Sequence, residues 1–170
     1  MGKYFGTDGF RGEANVTLTA DHAYKIGRFL GRYYAKDGKK CRAVIGKDPR
    51  RSSYMFEYSI VAGLTASGAD VYMLHVITTP GVSYVTRVDE FALGIMISAS
   101  HNPYNDNGIK LINSRGEKME DEVIDLLEAY LDGDAGDLRE NGELHFEKHH
   151  HIQRGTLGQQ RYDHSCEQTG

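Results

Sequence analysis

Tryptophan is absent from the 170-residue sequence, proline occurs three times and cysteine twice. Cys41 and Cys166 lie far apart and outside any metal-ligand spacing. Two cysteines cannot build a disulfide framework, so a reducing, cytoplasmic setting is the expected home. No window approaches the roughly eighteen consecutive apolar residues of a membrane span. The opening Met1-Gly2-Lys3-Tyr4-Phe5-Gly6 has no apolar run of the signal-peptide kind. An excess of one charge is missing too: Lys and Arg number 20, Asp and Glu 24, and the net charge is −4 with an isoelectric point near 6.0. That gives no electrostatic footprint for nucleic acid or an anionic membrane, and neither is an expected partner. No internal repeat is visible. What remains is ordinary for a globular chain, 39% hydrophobic and 26% charged residues, at a length that suits one domain with a proper core.

Helical and strand-like patterns alternate. Thr19 caps a pattern in which Ala23, Ile26, Leu30, Tyr33 and Tyr34 recur at helical spacing, and Asp37-Gly38 ends it. Residues 41–46 (CRAVIG) read as a buried strand. A second helix, with Met55, Tyr58, Val61, Ala62 and Leu64 along it, spans about 53–67 and is closed by Gly68. Residues 69–76, 91–98 and 108–113 are further strand candidates, with a short helix after Pro80-Gly81 to about Val88. Residues 120–131 carry Val123, Leu127, Tyr130 and Leu131 on one side, and Gly133 fits the position just past a helix end. Helices alternating with short apolar strands indicate a layered α/β domain.

The domain proper is expected to occupy 1–133. From 134 to 170 apolar residues are few, periodicity is lost, and His145, His149, His150, His151 and His164 crowd together. Such a stretch buries too little surface to offset its ordering entropy. It reads as a poorly ordered or non-native tail, and the histidine run as surface histidines rather than a built metal site.

Three loops hold the candidate chemistry. In Gly6-Thr7-Asp8-Gly9-Phe10-Arg11-Gly12, glycines flank an arginine, letting the backbone approach a ligand while a guanidinium offers a fork of donors. A flexible N-terminal turn is the plainer reading of that segment alone. Gly46-Lys47-Asp48-Pro49-Arg50-Arg51-Ser52-Ser53 leads from a strand into a helix N-terminus, a place where anions bind. It lacks the spacing of a P-loop, and alone it fits an ordinary capped turn. The third loop runs from Ser98 through Ala99, Ser100, His101, Asn102 and Pro103 to Lys110. It brings a hydroxyl, an imidazole and an ammonium near strand ends, where α/β sheets bind ligands.

Two chemistries could use Ser100. As an acyl-transfer nucleophile it would lack the Gly-x-Ser-x-Gly elbow, and the adjacent His101 is poorly placed as its base. As a phosphoryl carrier it would be served by the cationic residues of all three loops, which stabilise charge on the transferred group.

Taken together, Gly6–Gly12, Gly46–Arg50 and Ser98–Pro103 resemble, in order and separation, three signatures of the α-D-phosphohexomutase family. The similarity covers about Gly2 to Leu131. Lys3–Gly9, Thr78-Thr79-Pro80-Gly81-Val82 and Ser98–Lys110 are most similar to the bacterial phosphoglucosamine mutase branch. The resemblance implies a three-layer α/β/α sandwich on a mixed, mostly parallel four-stranded sheet. It implies that Ser100, phosphorylated in the active enzyme, passes its phosphoryl group to glucosamine 6-phosphate and recovers one from the bisphosphate, releasing glucosamine 1-phosphate. His101 and Lys110 would move protons or stabilise charge, and Arg11 would contact the phosphoryl group. Thr7, Asp8, Gly9, Lys47, Asp48, Arg50 and Asn102 would bind substrate or phosphate. A Mg²⁺ would meet Ser100 through its phosphate, and a hexose 1,6-bisphosphate would serve as activator.

The family's chain has four domains, and this sequence matches the first. Asp132-Gly133-Asp134-Ala135-Gly136-Asp137 only superficially resembles the metal loop of the second, since it follows a helix and Arg139 is displaced. The chain alone is therefore expected to be inactive, and surfaces meant for the missing domains could drive self-association. Alternatives left open are a phosphoglucomutase or phosphomannomutase domain, a non-catalytic phosphosugar-binding module, and a non-functional truncation product.

Overall fold

A computed structural model describes residues 2–35 and 40–133, together with the backbone of Ile152–Arg154. Its elements are β1 (Phe5–Gly6), β2 (Gly9–Glu13), α1 (Ala20–Tyr34), β3 (Arg42–Lys47), α2 (Arg51–Ala66), β4 (Asp70–Val76), α3 (Thr79–Val88), β5 (Leu93–Ile97), β6 (Asp106–Asn113), α4 (Asp121–Leu131) and β7 (Ile152–Arg154). The strands form one sheet in the order β1-β2-β6-β5-β3-β4-β7.

The strands β3 and β5 read as continuous apolar runs because both faces of the sheet are covered. Along β3, Ala43 and Ile45 join the larger core with α1, α2 and α4, while Val44 turns to the smaller one with Val82 of α3. The same alternation in β5 sends Leu93, Ile95 and Ile97 one way and Met96 the other. Side chains two apart share a face, so one strand feeds both cores and the result is three layers.

The four strands anticipated from the sequence are the central β4-β3-β5-β6, in which β3 is parallel to both β4 and β5, and β6 runs antiparallel to β5. The sheet is wider than that expectation, with seven strands. On one side the glycine-rich opening, expected as a loop, is a hairpin whose second strand pairs antiparallel with β6. Its only large buried side chains are Phe5 and Phe10, too few to write a strand pattern. Gly9 turns the hairpin at φ 92°, and a Cβ there would lie 2.4 Å from the Ile109 carbonyl oxygen, so only glycine fits. On the other side β7 adds parallel to Val71–Met73. The rest of the expected tail, its histidines, the Asp37-Gly38 stop and most of the Asp132–Asp137 run lie outside the described residues.

Thr19 is the expected cap of α1, in a reciprocal capping box with His22. The helix α3 begins earlier than expected, capped by Thr78 with Pro80 inside its first turn, and α2 begins at Arg51 without a side-chain cap. The buried face of α2 differs from the expected one: Tyr58 and Ala62 face outward, while Ser53, Phe56, Glu57, Ile60 and Gly63 are buried. The cause is that α2 packs on the sheet and crosses α1 at close range, so its buried arc is wide and includes polar and small residues. A Cβ on Gly63 would stand 2.1 Å from the Tyr24 carbonyl oxygen.

Candidate functional site

Register determines which loops meet. Because β3 and β5 are parallel with Lys47 opposite Ile97, the segments leaving their carboxyl ends are neighbours, and Asp48 N–H donates to the Ile97 carbonyl at 2.9 Å. One segment carries Asp48 and Arg50, the other Ser100. From the far side, Arg11 of β2 lies opposite Gly108 of β6. Gly108 and Lys110 are two apart, so Arg11 and Lys110 project from the same face. All three loops singled out in the sequence therefore converge beyond the ends of the parallel strands.

Ser100 is the centre of that convergence. It is exposed, with a left-handed backbone at φ 55° and its N–H donated to Ser98 Oγ at 3.0 Å. Lys110 Nζ donates to Ser100 Oγ at 3.2 Å and Arg11 Nη2 at 3.4 Å. Arg11 also reaches Asn102 Oδ1 and Asp8 Oδ2, each at 3.4 Å, while its buried Nε has no partner among the described residues. Thr7, Asp8, Gly9 and Lys110 border a cleft of about 480 Å³ floored by Phe5 and Leu111. Two cations on one serine hydroxyl make a place for a dianionic group to sit on that oxygen.

His101 is exposed and its ring makes no hydrogen bond or ion pair with the described residues, so among these no imidazole is placed to take a proton from the serine. That arrangement does not serve acyl transfer. Asp48 accepts from the N–H and Nε of Arg50 at 3.1 and 3.0 Å and from Ser53 Oγ at 2.7 Å. Asn102 donates from Nδ2 to Asp106 Oδ2 at 3.0 Å, and Asn107 Nδ2 reaches both Ser52 and Ser53 hydroxyls at 2.9 Å. Ser98, Ser53, Asp106 and Asn107 support the site from within the candidate loops, though the sequence assigns them no role; single polar residues in turns carry no signal of which backbone they will hold.

Lys47 does not join the others. Its Nζ is 2.6 Å from Glu57 Oε2, both side chains are at most 1% exposed, and the Tyr54 ring centroid lies 3.1 Å from the ammonium. A buried lysine is expensive unless paired, and this one is paired inside α2's packing. Its charge is directed into the fold, so the expected substrate contact has no support in the geometry.

The carboxylates around Ser100 are not free to hold the implied Mg²⁺. Asp8, Asp48 and Asp106 are each engaged by Arg11, Arg50 and Asn102, and among the described residues no group of three or more His, Cys, Asp or Glu could hold an ion. These residues do not form a resident site for a metal that takes six oxygen ligands. Also among the described residues, no helix is long and apolar enough to cross a membrane.

Comparison with known proteins gives a consistent result. Residues 2–135 match the family described as phosphoglucomutase/phosphomannomutase, alpha/beta/alpha domain I. A phosphoglucosamine mutase of Lachnospira eligens is 71% identical over 140 residues, which cover 81% of this chain and 31% of that protein. One from Lachnoclostridium phytofermentans is 70% identical over 138 residues with the same coverage. A phosphoglucomutase/phosphomannomutase family protein from Burkholderia thailandensis superposes with a TM-score of 0.67 at 28% identity, over 76% of this chain and 30% of the other. The chain thus spans about a third of the length of the curated relatives it matches.

Proposed function

The chain belongs to the phosphoglucomutase/phosphomannomutase family, and on that premise we propose that it is the phosphoryl-carrying domain of a phosphoglucosamine mutase, with Ser100 as the carrier. The observation that carries the reading is Ser100 Oγ held between Lys110 Nζ at 3.2 Å and Arg11 Nη2 at 3.4 Å. The choice of glucosamine phosphates rests on the names of the relatives at 70–71% identity.

In the forward half-reaction a hydroxyl of glucosamine 6-phosphate attacks the phosphorus on Ser100. The bond from phosphorus to serine oxygen breaks as the bond to the sugar oxygen forms, the sugar hydroxyl loses its proton, and the serine oxygen regains one. Lys110 is placed to donate that proton or to hold the developing charge, and Arg11 to face the transferring oxygens. His101, next in the chain, is the candidate acceptor of the sugar's proton. The bisphosphate then returns its other phosphate to Ser100, leaving glucosamine 1-phosphate. A hexose 1,6-bisphosphate is the source of the first phosphoryl group. A Mg²⁺ at the Ser100 phosphate would offset its negative charge, and the described residues would not hold that ion by themselves.

A coupled mutase assay with Mg²⁺, hexose 1,6-bisphosphate and glucosamine 6-phosphate tests the reading. Mutase activity of any preparation containing this chain is expected to vanish with Ser100→Ala. Turnover that survives that substitution contradicts the carrier role.

A further inference from the structure

Arg50 is expected among the residues that bind substrate phosphate, but its donors are turned to acceptors within the chain. An arginine has five side-chain N–H donors and one guanidinium plane. Here Nε donates to Asp48 Oδ2 at 3.0 Å. Nη2 donates to the carbonyl oxygens of Ser100 at 2.9 Å and Asn102 at 2.8 Å. Nη1 donates to the carbonyls of Pro103 and, at 2.9 Å, of Asp106. All five donors are engaged within the chain. Arg11 differs on each count, with three contacts of 3.4 Å and an Nε unpartnered among the described residues.

The four carbonyls that Arg50 gathers belong to the loop that presents Ser100. Within residues 99–106 that loop has only two backbone hydrogen bonds of its own, Asn102 N–H to the Ala99 carbonyl and Asp106 N–H to the Pro103 carbonyl, both 3.1 Å. The single guanidinium supplies twice as many. It is itself fixed by Asp48, which Ser53 Oγ holds at 2.7 Å. Ser100 needs such support, because a non-glycine residue at φ 55° sits in a sparsely populated region that the surroundings must maintain.

We infer that Arg50 is a positioning residue, a staple that fixes the backbone of residues 100–106 so that Ser100 Oγ stays between Arg11 and Lys110. For its effect on phosphoryl transfer the inference rests on the carrier reading above; for the staple itself it does not. Lysine cannot substitute, since an ammonium has three donors and no planar fork to bridge two pairs of carbonyls.

Two measurements on the intact chain test it. In the arginine side-chain ¹H–¹⁵N spectrum of the unaltered protein, the Nη protons of Arg50 are expected to be separately resolved and slow to exchange, and to remain so when inorganic phosphate is added. A single, averaged, rapidly exchanging Nη signal overturns the staple. In Arg50→Lys, phosphoryl uptake by Ser100 from a hexose 1,6-bisphosphate is expected to fall about 100-fold in maximal rate with half-saturation by the donor unchanged, the cost of a displacement near 1 Å. A wild-type rate, or a loss confined to donor half-saturation, overturns the positioning role. If the unaltered chain takes up no phosphate, the carrier reading fails, and the Arg50 spectrum still decides the staple.

Discussion

Lys110 and Arg11 are the two residues whose side chains touch the Ser100 hydroxyl, and their separate worth is measurable. Removing one preorganised cationic donor costs on the order of 10²-fold in the chemical step. Arg11→Ala is therefore expected to slow phosphoryl uptake about a hundredfold, and an unchanged rate would place Arg11 outside the reacting group. Lys47 provides the contrast. Removing one member of a buried pair leaves the other uncompensated, so Lys47→Met is expected to destabilise the fold by about 3–5 kcal/mol in denaturant unfolding. Adding Glu57→Leu is expected to recover much of that loss. A Lys47→Met variant of unchanged stability would mean that the pair is not what the lysine serves. The meeting of the serine with the lysine ten residues on was legible because one short motif holds both. The Lys47–Glu57 pair was not, since a sequence does not say which lysine of a basic loop turns inward.

At the scale of elements, two packings stand out. The crossing of α1 and α2 is so close that a Cβ at Gly63 would meet backbone atoms, Tyr24 O at 2.1 Å and Arg28 N at 2.8 Å. Gly63→Ala is expected to cost about 1–3 kcal/mol of stability despite its better helix propensity; a more stable variant would show that the helices part without strain. The N-terminal segment is clamped to α4 by Glu128, whose carboxylate accepts from the N–H groups of Lys3, Tyr4 and Phe5 at 2.8, 2.8 and 2.7 Å. Burial opposes ionisation of Glu128, but those three backbone donors outweigh it and hold its carboxyl below the ordinary value. A lowered folded pKa means that the contribution is complete above the unfolded value, roughly 4.3, and is lost as pH falls through the lower folded value. The melting-temperature advantage of the wild type over Glu128→Gln should therefore shrink below about pH 4; an advantage independent of pH would remove the charge from the explanation. The sequence revealed four helices and four central strands, because their apolar periods are long. It concealed the β1–β2 hairpin, whose strands hold three glycines and only two large apolar side chains, and the outward turn of Tyr58, which depends on how α2 crosses its neighbour.

As a whole, the molecule gathers its candidate chemistry at one place. The three loops legible in the sequence converge at one end of the sheet, and the register of β2, β3, β5 and β6 explains why. The relatives extend to about three times the length matched here, and the carboxylates around Ser100 are already engaged by protein cations and amides. The chain alone is accordingly expected to accept a phosphoryl group without turning glucosamine 6-phosphate over, and steady product formation by the purified chain would contradict that division of labour. Sugar preference was legible only through resemblance to the phosphoglucosamine mutase branch, since nothing in the three loops reads an amino group against a hydroxyl. The most direct test of the account is to incubate the chain with a hexose 1,6-bisphosphate and locate the acquired phosphate by peptide mass spectrometry. The account expects one phosphoryl group, on Ser100, and none in Ser100→Ala. Phosphate on another residue, or none on the unaltered chain, would contradict it.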